Sequence, residues 1–187
     1  MQDRRTALRR GAALGLAAGL WNTRLFAAVY LEPEQARKVL LPQAASFQPW
    51  NLAIDAQALA QATQHPVPAG FQPTAWEGLD AQGARAGFVL VDHVIGKYEW
   101  IDYGVGFAPD GTVLGVEILA YRESHGGEVR NIAWRKQFAG RKGPGQIRFN
   151  DDIRNISGAT LSSQHVTEGV QRLAALVAQQ LQKPARS

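Results

Sequence analysis

The strongest constraint on this chain is a block of three apolar stretches, joined by short turns, in its middle. The first begins at Ala86, the second runs from Tyr98 to Phe107, and the third runs from Thr112 to Tyr121. β-Branched and aromatic residues recur in all three, which favours β-strands. Pro109-Asp110-Gly111, between the last two, is typical of a tight hairpin turn. Because such turns join antiparallel neighbours, we expect an antiparallel sheet.

Helical patterns lie on both sides of this block. Pro33 to Leu41 and Ile54 to Ala62 are predicted helices before it. The clearest helix follows it, where apolar residues recur at spacings of three and four. These residues are Val166, Val170, Leu173, Val177 and Leu181. Gly169 inside this helix costs about 1 kcal/mol relative to alanine, which indicates a close backbone contact. The predicted fold class is α+β, an antiparallel sheet flanked by N-terminal and C-terminal helices, in one domain over residues 29–187.

The first 28 residues have the composition of an export signal. They contain five arginines and one aspartate, and so carry the whole formal net charge of +4. Arg4-Arg5 before Thr6-Ala7-Leu8 resembles a twin-arginine export signal, and the uncharged stretch from Gly11 to Trp21 is about half of the ~20 residues that a membrane helix needs. We predict twin-arginine export to the periplasm, with cleavage after Ala27. A Sec signal with paired arginines and an uncleaved anchor are the alternatives.

The composition of the remaining chain excludes several classes of function. Residues 29–187 have equal numbers of basic and acidic side chains, so the high pI of 9.7 comes from the N-terminal segment. A neutral body does not attract a phosphate backbone, and we expect no nucleic-acid partner. The absence of cysteine excludes disulfides, thiol catalysis and cysteine-ligated metal sites. No Gly-x-Gly-x-x-Gly motif follows a strand, so nothing supports a nicotinamide cofactor.

Two clusters of small and polar residues form the candidate site. Glu123-Ser124-His125-Gly126-Gly127-Glu128 directly follows a predicted strand, and its glycines allow the backbone to approach a flat ligand. Ser157-Gly158-Ala159-Thr160 precedes the C-terminal helix, where the helix dipole and free N–H groups, here those of Leu161-Ser162-Ser163, attract phosphate. A plain turn at the glycines, and a helix cap at Ser157 or Thr160, would explain the same patterns without a ligand.

Other polar residues give weaker signals. His125 with Glu123 and Glu128 could bind a metal, but a polar loop is the simpler interpretation, and we assign no metal ligand and no catalytic residue. Asp92-His93 lies in a predicted strand and is more typical of a structural pair than of a catalytic dyad. The tryptophans are expected in the core or lining a pocket. They include Trp76, Trp100 and Trp134.

The second cluster resembles a known attachment motif. Ser157-Gly158-Ala159-Thr160, with Asp152 before it and Leu161-Ser162-Ser163 after it, is similar to the flavinylation motif of the periplasmic FMN-binding domain. That domain occurs in the flavin subunits of the Na⁺-translocating NADH:quinone reductase and of the Rnf complex, and in stand-alone exported proteins. Phe138-Ala139-Gly140-Arg141 resembles the family's Gln-Phe-x-Gly-Lys stretch. The similarity extends from Leu31 to Leu181.

The first cluster resembles the same family's Glu-Thr-Pro-Gly-like loop, with Ser124-His125 in place of Thr-Pro. The resemblance implies that a flavin transferase takes FAD and joins its FMN half to the Thr160 hydroxyl through a phosphoester. It also implies that the isoalloxazine ring lies against the loop, near Trp134. The residues expected to bind FMN are therefore Thr160, Ser157, Gly158, Ala159, Glu123, Ser124, His125, Gly126 and Gly127.

The function implied by this resemblance is electron transfer. The protein would accept electrons from a membrane partner and pass them on through FMN, and no side chain need act as a catalyst. The protein would lie in the periplasm. Association with the membrane there would fit electron transfer from a membrane partner. The alternative is a flavin-free periplasmic binding or assembly module with the same fold.

Overall fold

A six-stranded antiparallel sheet is the central element of the computed structural model, which describes residues 28–182. The strands are β1 (Ala28–Val29), β2 (Ser46–Pro49), β3 (Thr74–Leu79), β4 (Arg85–Ile95), β5 (Trp100–Phe107) and β6 (Val113–Tyr121). Their order in the sheet is β1-β6-β5-β4-β3-β2, and every neighbouring pair is antiparallel. The predicted antiparallel sheet is confirmed, and β4, β5 and β6 form its centre.

The hairpin between β5 and β6 forms where it was predicted. Gly111 has a φ of +86°, a conformation that glycine adopts without strain. Asp110 stabilises the turn, since its Oδ1 accepts a hydrogen bond from the Thr112 N–H at 3.0 Å. Strand β5 begins two residues later than expected, because Gly96 and Glu99 close a tight turn at its start.

Within residues 28–182 there are four α-helices: α1 (Pro33–Leu40), α2 (Ala56–Thr63), α3 (Ile132–Arg135) and α4 (Thr160–Gln182). The three predicted helices correspond to α1, α2 and α4. Asp55 caps α2, because its Oδ1 accepts a hydrogen bond from the Ala58 N–H at 3.0 Å. Helix α4 begins six residues before the first residue of the predicted apolar pattern, because its first turn contains the polar residues Thr160, Ser162 and Ser163.

The two faces of the sheet are covered by different helices. Helix α4 packs on one face, where Val166, Val170 and Leu173 are fully buried in the main core with side chains such as Phe88 and Tyr103. Helix α1 covers part of the other face with a smaller core. That core consists of Ala36, Leu40, Leu41, Val89 and Leu119.

The predicted close contact at Gly169 is confirmed. A Cβ at this position would overlap the Tyr103 hydroxyl and would lie 3.0 Å from Val94 Cγ1. Glycine therefore lets α4 approach β4 and β5 more closely than alanine would allow.

An irregular segment with short 3-10 turns connects β6 to α4, and two side chains hold it in place. The buried Trp134 donates from Nε1 to the carbonyl of Arg154 at 2.8 Å. The Arg141 guanidinium donates to the carbonyls of Gln146 at 2.9 Å and Asp152 at 2.6 Å. These bonds fix the approach to the start of α4, and they place Trp134 in the core, as predicted.

Membrane segments are not found within residues 28–182, since no helix there is long and apolar enough to cross a bilayer. The predicted export signal over residues 1–28 lies almost wholly outside the described residues. It stays a prediction.

Candidate functional site

The two clusters singled out in the sequence lie side by side. They face each other across a cleft of about 360 Å³, which we call the polar cleft. A third wall comes from the turn between β4 and β5, through Lys97 and Tyr98. The predicted residues that line it are Glu123, Ser124, His125, Gly126, Gly158, Ala159 and Thr160.

Thr160 is the first residue of α4, and its side chain is exposed at the polar cleft. Its Oγ1 accepts a hydrogen bond from Asn155 Nδ2 at 3.3 Å. Asn155 also ties the preceding loop to the helix, because its Oδ1 accepts from Ser163 Oγ at 3.1 Å. Asn155 therefore positions Thr160, a role that the sequence did not reveal.

The start of α4 offers fewer N–H groups to an anion than the sequence predicted. The Ser163 N–H donates to the Ala159 carbonyl at 2.9 Å, so it is not available. Within the described residues, no carbonyl outside the helix accepts from the N–H groups of Leu161 or Ser162. Two of the three expected donors therefore stay open beside Thr160, at the positive end of the helix dipole.

Tyr121 joins the two walls of the polar cleft. This last residue of β6 donates a hydrogen bond from its hydroxyl to the His125 carbonyl, and the same oxygen lies 3.1 Å from Ser162 Oγ on α4. Burial raises the pKa of the Tyr121 hydroxyl above its usual value, so the hydroxyl keeps the proton it donates.

Gly126 lies directly against this junction. Its φ is +86°, and a Cβ there would lie 2.6 Å from the Tyr121 hydroxyl and 3.1 Å from Ser162 Oγ. The loop can meet the helix only because this residue has no side chain. Gly127 differs, because its φ is not positive and a Cβ there would meet only Tyr121 Cε1, at 4.0 Å. Gly127 does not line the polar cleft.

Glu123 supports the third wall. Its Oε1 accepts hydrogen bonds from the N–H groups of Tyr98 at 2.6 Å and Glu99 at 3.0 Å. Desolvation alone would raise the pKa of this carboxyl, but the N–H donors of the turn outweigh it and hold the pKa below its usual value. Glu123 is therefore a charged group of the site, and its hydrogen bonds also hold the β4–β5 turn in place.

The remaining predicted residues occupy more exposed positions. Ser124 and His125 are exposed, and Ser124 Oγ lies 2.9 Å from His125 Nδ1. Ser157 is exposed and does not line the polar cleft. Gly158 has a φ of +85°, and no atom lies within 4 Å of the place where its Cβ would be. Trp134 is buried against Phe138 and does not line the cleft either.

Metal binding was the alternative for His125, Glu123 and Glu128. Across residues 28–182, no three histidine, cysteine, aspartate or glutamate side chains are grouped so as to hold a metal ion.

Comparison with protein families supports the interpretation of this cleft. Residues 96–175 match the family model described as the FMN-binding domain. These residues belong to the FMN-binding domain family. The match includes the β4–β5 turn, the loop after β6 and the start of α4, which are the three walls of the polar cleft. FMN is the cofactor of this domain, and the protein is an FMN-binding flavoprotein.

The crystal structure of NqrC from Shewanella oneidensis is 18% identical, with a TM-score of 0.48, over 68% of this chain and 77% of that one. No curated protein matches the chain significantly.

The residues of the FMN-binding domain fit the groups of FMN. Open N–H groups and a helix dipole suit its phosphate. Gly126 and Gly158 line the cleft without side chains that would obstruct a flat ring. The polar side chains between them suit the hydroxyls of the ribityl chain.

Neighbouring glycines provide a test of the junction. We expect Gly126→Ala to lower the free energy of unfolding by at least about 2 kcal/mol, because a left-handed φ and an overlap with Tyr121 both oppose a side chain. Gly127→Ala is the matched control and should change it by less than about 1 kcal/mol. Urea unfolding of both variants measures the difference. Equal stabilities would contradict the packing described for Gly126.

Proposed function

We propose that this protein is an exported flavoprotein that relays electrons through FMN bound covalently, by a phosphoester, to Thr160. The observation that carries the proposal is the position of Thr160. Its hydroxyl is exposed at the start of a long helix, beside two open N–H groups, and at the edge of the polar cleft.

Attachment requires a flavin transferase as partner. The Thr160 oxygen forms a bond to the FMN phosphorus of FAD, the pyrophosphate bond breaks, AMP leaves, and the hydroxyl proton passes to a base. The hydrogen-bond partner of Thr160 Oγ1 is the amide nitrogen of Asn155, which donates and cannot take up a proton. The base therefore belongs to the transferase. Open space around Gly158 leaves room for that enzyme to approach.

The flavin ring belongs against the loop over residues 123–127 in this proposal. Bound FMN supplies the one- and two-electron chemistry, and the chain determines where the ring lies and which charges surround it. Glu123 contributes a negative charge to the polar cleft, and Gly126 lines the cleft without a side chain.

The electron-transfer partner is proposed to lie in the membrane, with this protein on the periplasmic side. Two apolar side chains at the polar cleft are exposed: Tyr98, at 71%, and Leu161, at 42%. Exposed apolar residues beside a redox cofactor suit transient contact with another protein.

Intact mass tests the attachment site. After co-expression with a flavin transferase, we expect one FMN adduct per chain and a yellow protein. Thr160→Ala should remove the adduct and change stability by less than about 0.5 kcal/mol, because the side chain is exposed. Ser157→Ala, which removes a nearby exposed hydroxyl, should keep the adduct. An adduct that persists in Thr160→Ala would rule out the assignment, and a colourless wild-type protein would favour a flavin-free binding or assembly module.

The charge of Glu123 should affect the flavin potential. Glu123→Gln keeps an oxygen that can accept hydrogen bonds from the N–H groups of Tyr98 and Glu99. It removes a negative charge near the ring, and that charge disfavours the anionic reduced flavin. We expect the midpoint potential to rise by roughly 30 mV, equivalent to about 1.4 kcal/mol for a two-electron couple. Spectroelectrochemical titration measures it. The control is Glu34→Gln, which removes the negative charge of an exposed residue of α1, outside the polar cleft. An unchanged potential with the adduct intact would place the ring elsewhere.

Export depends on the paired arginines in this proposal. Changing Arg4 and Arg5 to lysine preserves charge and should retain the precursor in the cytoplasm, whereas changing Arg9 and Arg10 to lysine should not. Cell fractionation with immunoblotting measures the distribution. Full export of the first variant would argue for the Sec route.

A further inference from the structure

A second cavity, of about 280 Å³, lies next to the polar cleft along α4. We call it the α4 cavity. Its walls come from the segment after α2, from β4, from the start of β5, and from α4 beyond its first turn. Only the first turn of α4 contributes to the polar cleft, so the two spaces share no lining residue.

Arg172 is the distinctive group of the α4 cavity. The residue is only 7% exposed, and the Nε atom of its side chain has no hydrogen-bond partner. Within the described residues, no carboxylate lies within 4 Å of its guanidinium. A buried cation without an ion pair is costly. A ligand with a negative oxygen would offset that cost.

Two acidic side chains also line the α4 cavity, Asp92 and Glu168. Asp92 is also buried, and its Oδ2 accepts a hydrogen bond from the Tyr103 hydroxyl at 3.1 Å. Burial raises the pKa of Asp92, and the charge of Arg172 opposes that shift from beyond salt-bridge distance. Glu168 at the cavity accepts from Gln164 at 2.8 Å. These two acids disfavour a ligand with two negative charges, such as a phosphate. A ligand with one negative charge suits the cavity better.

The other walls are apolar and aromatic. The Arg172 guanidinium lies 5.1 Å from the centre of the Phe71 ring. Trp100 is 49% exposed, and His93 contacts its ring edge-on at 4.7 Å. Pro66, Pro68 and Val94 complete the apolar surface. Such walls favour a planar apolar ligand body.

We propose that the α4 cavity binds a small aromatic monocarboxylate, with its carboxylate against Arg172 and its ring against Phe71, Val94 and Trp100. A guanidinium and a carboxylate match in geometry and form two parallel hydrogen bonds. This site is separate from the FMN site, and its occupancy does not require flavin.

Binding of 2-naphthoate, measured by isothermal titration calorimetry on the full chain, tests the proposal. We expect 2-naphthoate to bind at least about tenfold more tightly than 2-naphthamide, because a charge-assisted hydrogen bond contributes about 1.5–3 kcal/mol. This comparison uses the unaltered protein and so does not depend on the folding of a variant. Equal affinities, or no binding of 2-naphthoate at millimolar concentration, would overturn the proposal.

Variants locate the site. Arg172→Gln should weaken 2-naphthoate binding by about 10- to 100-fold and leave 2-naphthamide unaffected. Trp100→Ala should weaken both ligands. Arg154→Gln, which removes an exposed positive charge outside the α4 cavity, is the matched control and should weaken neither.

The flavinylated protein and Thr160→Ala distinguish this site from the FMN site. Equal binding of 2-naphthoate to both supports two separate sites. Binding to Thr160→Ala but not to the flavinylated protein would mean that the flavin ring fills the α4 cavity, and would overturn the proposal.

Discussion

Burial of one face of α4 against the sheet is the interaction on which the rest of the structure depends. Val166, Val170 and Leu173 are fully buried there, and each such side chain contributes about 1.5–3 kcal/mol. Gly169 brings the helix axis closer still, against Tyr103. A helix held this firmly presents its first turn at a defined place. The exposed Thr160 therefore has a rigid support, although the loop before it is irregular.

Thr160 lies at the polar cleft because β6 ends beside the first turn of α4. Tyr121 contacts both the His125 carbonyl and Ser162, so one hydroxyl brings together two segments that lie far apart in sequence. Gly126 allows the contact, because any side chain would fill the space that the hydroxyl occupies. The polar cleft is thus a consequence of strand and helix packing, and a flexible loop alone would not maintain it.

Local patterns in the sequence predicted the long elements and two of the three walls of the polar cleft, but not the wall formed by the β4–β5 turn. The apolar period of three and four identified α4, and the Pro-Asp-Gly turn identified the β5–β6 hairpin. The edge strands β1 and β2 and the short strand β3 between β2 and β4 were missed, because so few residues give little periodicity. Asn155 and Tyr98 were missed as site residues, because their roles arise from tertiary contacts that spacing cannot show. Arg172 was missed for the same reason: in sequence it is an ordinary arginine in an amphipathic helix.

The turn between β4 and β5 separates the two cavities and is held from both sides. Glu123 accepts from its N–H groups on the side of the polar cleft. His165 lies within hydrogen-bond distance of the carbonyls of Ile95 at 2.7 Å and Gly96 at 3.1 Å on the side of the α4 cavity. Because carbonyls only accept, Nδ1 of His165 must carry a proton and donate it to them. A change on either side of the turn therefore acts on the same short segment of backbone, which gives the two sites a physical connection through residues 96–99.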